Sequence, residues 1–277
     1  MAVVGIVGPG RAGLGLAGAL ARAGHEVFLH GRSPKPVPGG LSLTTGAVPP
    51  WLDRVAIVIL AVPDDAVTEV ASRLADSGAV GAGHVVLHLS GVLDRGVLSP
   101  LAPTGAALGS LHPLRSFGSG EENLEGVFAA VEGDDRAVER AVDLARSIGL
   151  RPFRLGPGGK ARYHAGAVFA ANFLVTLYAR AERLFRDAGI PSGEARAALV
   201  ALMRGVVENL ADRGAGALTG PLARGDVETV RLHLEALDPQ DRLLYRVLSR
   251  LTLDLAGLPE ARRQALERLL DERLAGE

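Results

Sequence analysis

A chain of 277 residues is long enough for two compact domains, and with 48% hydrophobic residues it has ample material for a core. A formal net charge of −1, with no run of five like charges, excludes a nucleic-acid or membrane-surface partner held by bulk electrostatics. The absence of cysteine excludes disulfides, thiolate metal sites and cysteine nucleophiles, and no metal site is expected.

The apolar start lacks the basic leader and cleavage pattern of a signal peptide, so residues 2–7 read as a first strand. It ends in Gly8, Pro9 and Gly10, and apolar and small residues then recur with helical spacing over 11–23, closed by Gly24. Residues 26–30 read as a second strand, followed by a turn-rich 31–40. The β-branched run 55–62 suits a strand buried on both faces. Asp64 is placed to cap a helix over 66–76. Residues 85–89 form another strand ending at Ser90 and Gly91, with shorter candidates at 106–111, 127–131 and 151–155 and a helix over 134–148. Strands alternating with helices predict an α/β Rossmann-type, doubly wound parallel sheet. Beyond the glycine-rich 156–159 only helical patterns remain, at 160–188, 193–212, 226–236, 239–256 and 259–274. The expected organisation is a nucleotide-binding domain over 1–155 and an all-α domain over 156–277. With no stretch of 18 apolar residues free of charges and breakers, a cytoplasmic location is expected.

Gly8-Pro9-Gly10-Arg11-Ala12-Gly13 matches G-x-G-x-x-G between a strand and a helix. Gly8 permits the tight turn, Gly10 lets a pyrophosphate approach the backbone, and Gly13 lets helix and strand pack closely. The helix start offers unpaired N–H groups and a positive dipole end to phosphates. NAD sites usually place Asp or Glu after the second strand; here Arg32 and Ser33 stand there and suit a 2′-phosphate. The cofactor expected is therefore NADP, with NAD as the alternative.

Val62-Pro63-Asp64, Ser90-Gly91, the His112-Pro113 segment, Tyr163-His164, Asn172 and the 218–226 segment together resemble one bacterial family. Its members carry a Rossmann-like domain followed by a helical domain of unknown function. They belong to the superfamily of 6-phosphogluconate dehydrogenase, ketopantoate reductase, pyrroline-5-carboxylate reductase and prephenate dehydrogenase. The resemblance implies that Val62, Pro63 and Asp64 lie beside the nicotinamide half of the cofactor, bordered by Ser90 and Gly91. It also implies a homodimer formed through the helical domain.

Hydride transfer needs a proton donor or acceptor near the substrate and a grip on the substrate. His25, His30, His84 and His233 read as structural, and His88 reads as a core histidine. His112 resembles the His-Pro segment that faces the active site in prephenate dehydrogenases. Lys160, His164 and Asn172 fall at steps of four and eight, so on one continuous helix they share a slowly drifting side. In 6-phosphogluconate and ketopantoate enzymes the matching helix carries a Lys and, four residues later, an Asn. Asn172 matches that Asn, but Val168 stands where the Lys would be. Prephenate dehydrogenases carry a His and, eight residues on, a Ser; His164 and Asn172 keep that spacing. Asn172 also reads as a buried residue bonding across helices. Arg115 and Arg224 are candidates for a substrate carboxylate, and Asp226 for a helix cap. The resulting expectation is an NADP-dependent oxidoreductase acting on a small carboxylate-bearing carbonyl or hydroxy compound, ketopantoate-like. The alternatives are a prephenate-dehydrogenase-like enzyme and a cofactor-binding sensor without turnover.

Overall fold

The computed structural model describes residues 1–37, 40–118 and 123–271, and the chain divides into two compact units, Met1–Ala171 and Asn172–Glu277. In the first unit the elements run β1 (Val3–Val7), α1 (Arg11–Arg22), β2 (Glu26–Gly31), β3 (Leu43–Thr45), β4 (Ile57–Leu60), α2 (Val67–Asp76) and β5 (Val85–His88). Next come β6 (Ala107–Pro113), β7 (Phe128–Gly133), α3 (Asp135–Ser147), β8 (Arg151–Arg154) and α4 (Lys160–Ala170). The eight strands form one sheet in the order β3-β2-β1-β4-β5-β6-β7-β8. The chain leaves β1 first toward β2 and β3, then crosses back to β4, so the switch point lies beside β1, where open sheets of this kind bind ligands.

The sheet is buried on both sides. One face packs Leu16 and Leu20 of α1 with Val138, Ala141 and Leu144 of α3. The other packs Val70 and Leu74 of α2 with Leu98 and Leu101 of a 3₁₀ stretch over Arg95–Thr104. Each fully buried leucine contributes about 1.5–3 kcal/mol over an exposed one. Because both faces are covered, the strands read as apolar runs rather than alternating ones, as β4 (Ile-Val-Ile-Leu) shows.

Four expectations need correction. β7 runs antiparallel to β6, with no crossover helix among the described residues that join them, whereas the other strand pairs are parallel. The run 55–62 gives a shorter strand, Ile57–Leu60, since a 3₁₀ turn over Leu52–Arg54 precedes it. Asp64 caps no helix: it opens a 3₁₀ turn, Asp64–Ala66, with no side-chain cap bond there or at α2. The helix expected over 160–188 breaks at Ala171 (φ −115°, ψ −66°), so the shared side of Lys160, His164 and Asn172 on one continuous helix does not exist. α4 belongs with the first unit, and the division by compactness therefore falls after Ala171 rather than at the 156–159 turn. The strand β3 and the 3₁₀ stretch 95–104 were not expected.

The second unit holds α5 (Asn172–Asp187), α6 (Ser192–Arg213), α7 (Pro221–Arg224), α8 (Val227–Ala236), α9 (Pro239–Leu253) and α10 (Glu260–Asp271). The last three close around Val230, Leu234, Leu253, Leu266, Leu269 and Leu270. Asp226 caps α8, its carboxylate accepting from the Thr229 N–H at 3.1 Å and the Thr229 hydroxyl at 2.7 Å. By contrast, α6 buries only Ala195 and Leu199 and exposes Leu202, Val206, Val207 and Leu210. The sequence expects the last helix to reach 274; residues beyond 271, like Pro38 and Gly39 of the expected 31–40 turn, lie outside the described residues. No helix among the described residues is long and apolar enough to cross a membrane.

Candidate functional site

At the carboxyl end of β1 the chain turns at Gly8 with φ +104°, a conformation that L side chains rarely adopt. A β-carbon there would also lie 2.4 Å from the Ala61 carbonyl oxygen, and one on Gly13 would lie 2.1 Å from the Gly8 oxygen. Nothing lies within 4 Å of a β-carbon on Gly10. Two glycines are thus required by the protein itself, while the side of Gly10 faces open space. Gly10 is the N-cap of α1 without a side-chain cap, and no acidic residue occupies the first turn formed by Arg11, Ala12 and Gly13. The exposed N–H groups and dipole end suit an anion.

That turn borders a cavity of about 600 Å³ lined by Gly8, Pro9, Gly10, Arg32, Ser33, Val62 and Pro63, all expected from the sequence. Lys35 and Arg73 line it as well and were missed. Lys35 donates to the Pro9 carbonyl, and Arg73 pairs with Glu69 at 2.9 Å across one turn of α2. The periodicity of α2 could have placed Arg73 on the cavity side. Asp64 is exposed and is not part of the lining, where Asp65 and Ala66 stand instead. His30 lies in the floor, held by Thr44 and the Gly46 carbonyl, and burial lowers its pKa.

A second cluster forms at the carboxyl ends of β5 and β6, where Leu60, His88 and Ser110 are in register across three strands. The Ser90 N–H donates to His88 Nδ1 at 3.2 Å, which leaves the His88 proton on Nε2 to reach the Asp94 carbonyl at 3.2 Å. Val92 and Leu93 donate to Ser90 Oγ, and the Ser90 carbonyl accepts from Lys160 Nζ at 2.6 Å. His88 therefore clasps the loop that Lys160 ties to α4. Lys160 is only 3% exposed. Burial lowers its pKa to about 8, opposed by the nearby Glu132, Asp64 and Asp94 carboxylates. Burial and the Lys160 charge bring His88 to about 4.

Positions i, i+3 and i+4 of α4 place Lys160, Tyr163 and His164 on one side of that helix. Tyr163 OH and His112 Nδ1 are 2.8 Å apart, and the His112 and His164 rings meet edge to face at 6.1 Å. Burial first, then Lys160 and His164, lower His112 to about 4, while burial raises Tyr163 to about 12. Gly91 closes the cluster: a β-carbon on it would lie 2.5 Å from His164 Nδ1 and 2.9 Å from His112 Nε2. The structure thus brings together five of the expected residues: Ser90, Gly91, His112, Lys160 and His164. Tyr163 and Glu132 join them without having been singled out for chemistry. Neutral imidazoles beside a protonated phenol can donate and accept hydrogen bonds at pH 7.

Arg115 follows β6, its N–H donating to the Pro113 carbonyl at 2.8 Å. Asn172 and Arg224 belong to the second unit. Asn172 is exposed at the start of α5, which corrects the reading of a buried asparagine bonding across helices. Arg224 is exposed at the end of α7, its carbonyl accepting from Arg262 at 2.7 Å.

Residues 1–113 match the Rossmann-like domain, and residues 127–252 match DUF2520, a domain of unknown function. A comparison with curated proteins gives no match. Among solved structures, a Bacteroides fragilis protein provisionally described as an NADP oxidoreductase superposes with a TM-score of 0.74 at 21% identity, covering 91% of this chain and 98% of its own. A Thermotoga maritima protein follows at 0.72 and 26%, with the same coverage. Plasmodium falciparum pyrroline carboxylate reductase with NADP bound gives 0.61 at 13% identity, covering 98% of both chains. These similarities place the chain among Rossmann-type folds extended by a helical unit.

Proposed function

We propose that this DUF2520 protein is an NADP-dependent oxidoreductase acting on a small carboxylate-bearing carbonyl or hydroxy compound, of which a ketopantoate-like 2-keto acid is the leading candidate. The observation that carries it is the Gly8–Gly13 turn opening onto a cavity whose rim holds Arg32, Ser33, Lys35 and Arg73. The Gly10 side of the turn is open to a pyrophosphate, and three cations with a hydroxyl suit a 2′-phosphate. Bound NADPH supplies a hydride. The chain supplies the rest: His164 exchanges a hydrogen bond with the substrate, His112 positions His164, Lys160 and His88 hold the Ser90-Gly91 loop in place, and Arg115 grips a carboxylate. Pyrroline carboxylate reductase and an Aspergillus terreus reductive aminase in complex with NADPH share the fold, which supports the cofactor class.

In the second unit Asn172 and Arg224 are further candidates for substrate contacts, and the exposed apolar face of α6 joins a second copy in a homodimer. The meeting of His112 with His164 favours a prephenate-dehydrogenase-like activity as the second reading. The tie of Lys160 to the Ser90 carbonyl, a structural use of that amine, favours a sensor without turnover.

Titration of nicotinamide fluorescence tests the cofactor. NADPH is expected to bind about 10- to 100-fold more tightly than NADH, the worth of one or two charge-assisted hydrogen bonds. Arg32→Asp should reverse or abolish the preference. Equal affinities in the wild type would end this reading.

A further inference from the structure

His164 Nδ1 is buried and has no hydrogen-bond partner. Leaving such an atom unpaired is costly, so its surroundings call for an explanation. The ring itself is only half-buried. His112 Nε2 and His164 Nδ1 converge on the same side of Gly91, at 2.9 and 2.5 Å from the point a β-carbon would occupy. Among the described residues His112 Nε2 makes no other hydrogen bond, whereas His112 Nδ1 is engaged by Tyr163 at 2.8 Å. Only the absence of a side chain at Gly91 lets the two rings stand this close. The two nitrogens border the same small space, which a hydrogen bond between them would fill.

With the protonated Tyr163 phenol taken as the donor to His112 Nδ1, the proton positions follow in order. A neutral His112 must therefore carry its proton on Nε2, which faces His164 Nδ1 and makes that atom the acceptor. The His164 proton is left on Nε2. We propose that Tyr163 and His112 are positioning residues that fix His164 as an Nε2–H donor, so that the site takes a substrate presenting a hydrogen-bond acceptor, a carbonyl oxygen, rather than a protonated iminium. Only the identity of the ligand rests on the reductase reading; the tautomer of His164 is a property of the protein alone.

Nitrogen-15 NMR of the histidine rings in the full chain, without cofactor or substrate, tests this directly. The wild type should show His164 in the Nε2–H form by at least about fivefold, the bias expected from one net hydrogen bond. His112→Phe removes the donor and should let both forms of His164 appear. His112→Gln, whose amide N–H can stand in for Nε2–H, should restore the bias, and Tyr163→Phe should weaken it. A wild-type His164 with its proton on Nδ1, or a His164 tautomer indifferent to His112→Phe, would overturn the proposal. The wild-type measurement decides even if a variant fails to fold. Failure of NADPH binding with an intact tautomer would indict the reductase reading instead.

Discussion

Gly10 and Gly13 lie three residues apart in one turn, yet alanine should act on them in opposite ways. At Gly13 a β-carbon would stand 2.1 Å from the Gly8 carbonyl oxygen, more than 1 Å inside the 3.4 Å at which ordinary contact begins. The obstacle is backbone, which cannot rotate away, so the cost falls at the upper end of overpacking, about 3 kcal/mol. For a unit of this size that lowers Tm by roughly 6–12 °C. At Gly10 the backbone (φ −75°, ψ −173°) is open to alanine and no atom lies within 4 Å. Alanine is a poorer N-cap than glycine, but it also narrows the unfolded ensemble by about 0.4–1 kcal/mol, so the two effects nearly cancel. Gly10→Ala should therefore melt within roughly 2 °C of the wild type. Its methyl group would occupy the space the pyrophosphate needs, and NADPH affinity should fall at least about tenfold, or 1.4 kcal/mol. Melting curves beside NADPH fluorescence titrations on both variants separate the effects. Wild-type NADPH affinity in Gly10→Ala would refute the assignment of the turn to a pyrophosphate, and an unchanged Tm in Gly13→Ala would refute the packing reasoning.

Light scattering should give a mass near twice 28.7 kDa, and Val206→Glu on the exposed face of α6 should return it to one chain. His88 is held near 4 against an ordinary 6.5, so the unfolded chain takes its proton first as the pH falls; stability is full above 6.5 and is lost toward 4, by about 3 kcal/mol for this residue, with His112 adding in the same direction. Melting temperatures between pH 7 and 4.5 should therefore drop by several degrees, and less steeply in His88→Asn. His164→Ala should keep near-normal NADPH affinity while turnover falls about 10²- to 10⁴-fold, whereas exposed Asn172→Ala should lose rate without losing Tm.

The sequence by itself located β1, the glycine turn and α1, because those signals are local: an apolar run, three spaced glycines, then helical periodicity. Arg32 and Ser33 were legible for the same reason, as the residues that follow β2. His112, Lys160 and His164 were chosen partly by resemblance. That they share one cluster was decided by β6 and α4 meeting above the β5 loop, across some fifty residues of chain. The antiparallel β7 was hidden because an apolar strand carries no mark of its direction; pairing geometry alone sets it. The break at Ala171 was hidden too, since alanine and asparagine interrupt no helical pattern. His88 read as a plain core histidine, and it is one by burial. Its clasp on Ser90, and through Ser90 on Lys160, exists only because backbone N–H and carbonyl groups from a folded loop reach both of its nitrogens.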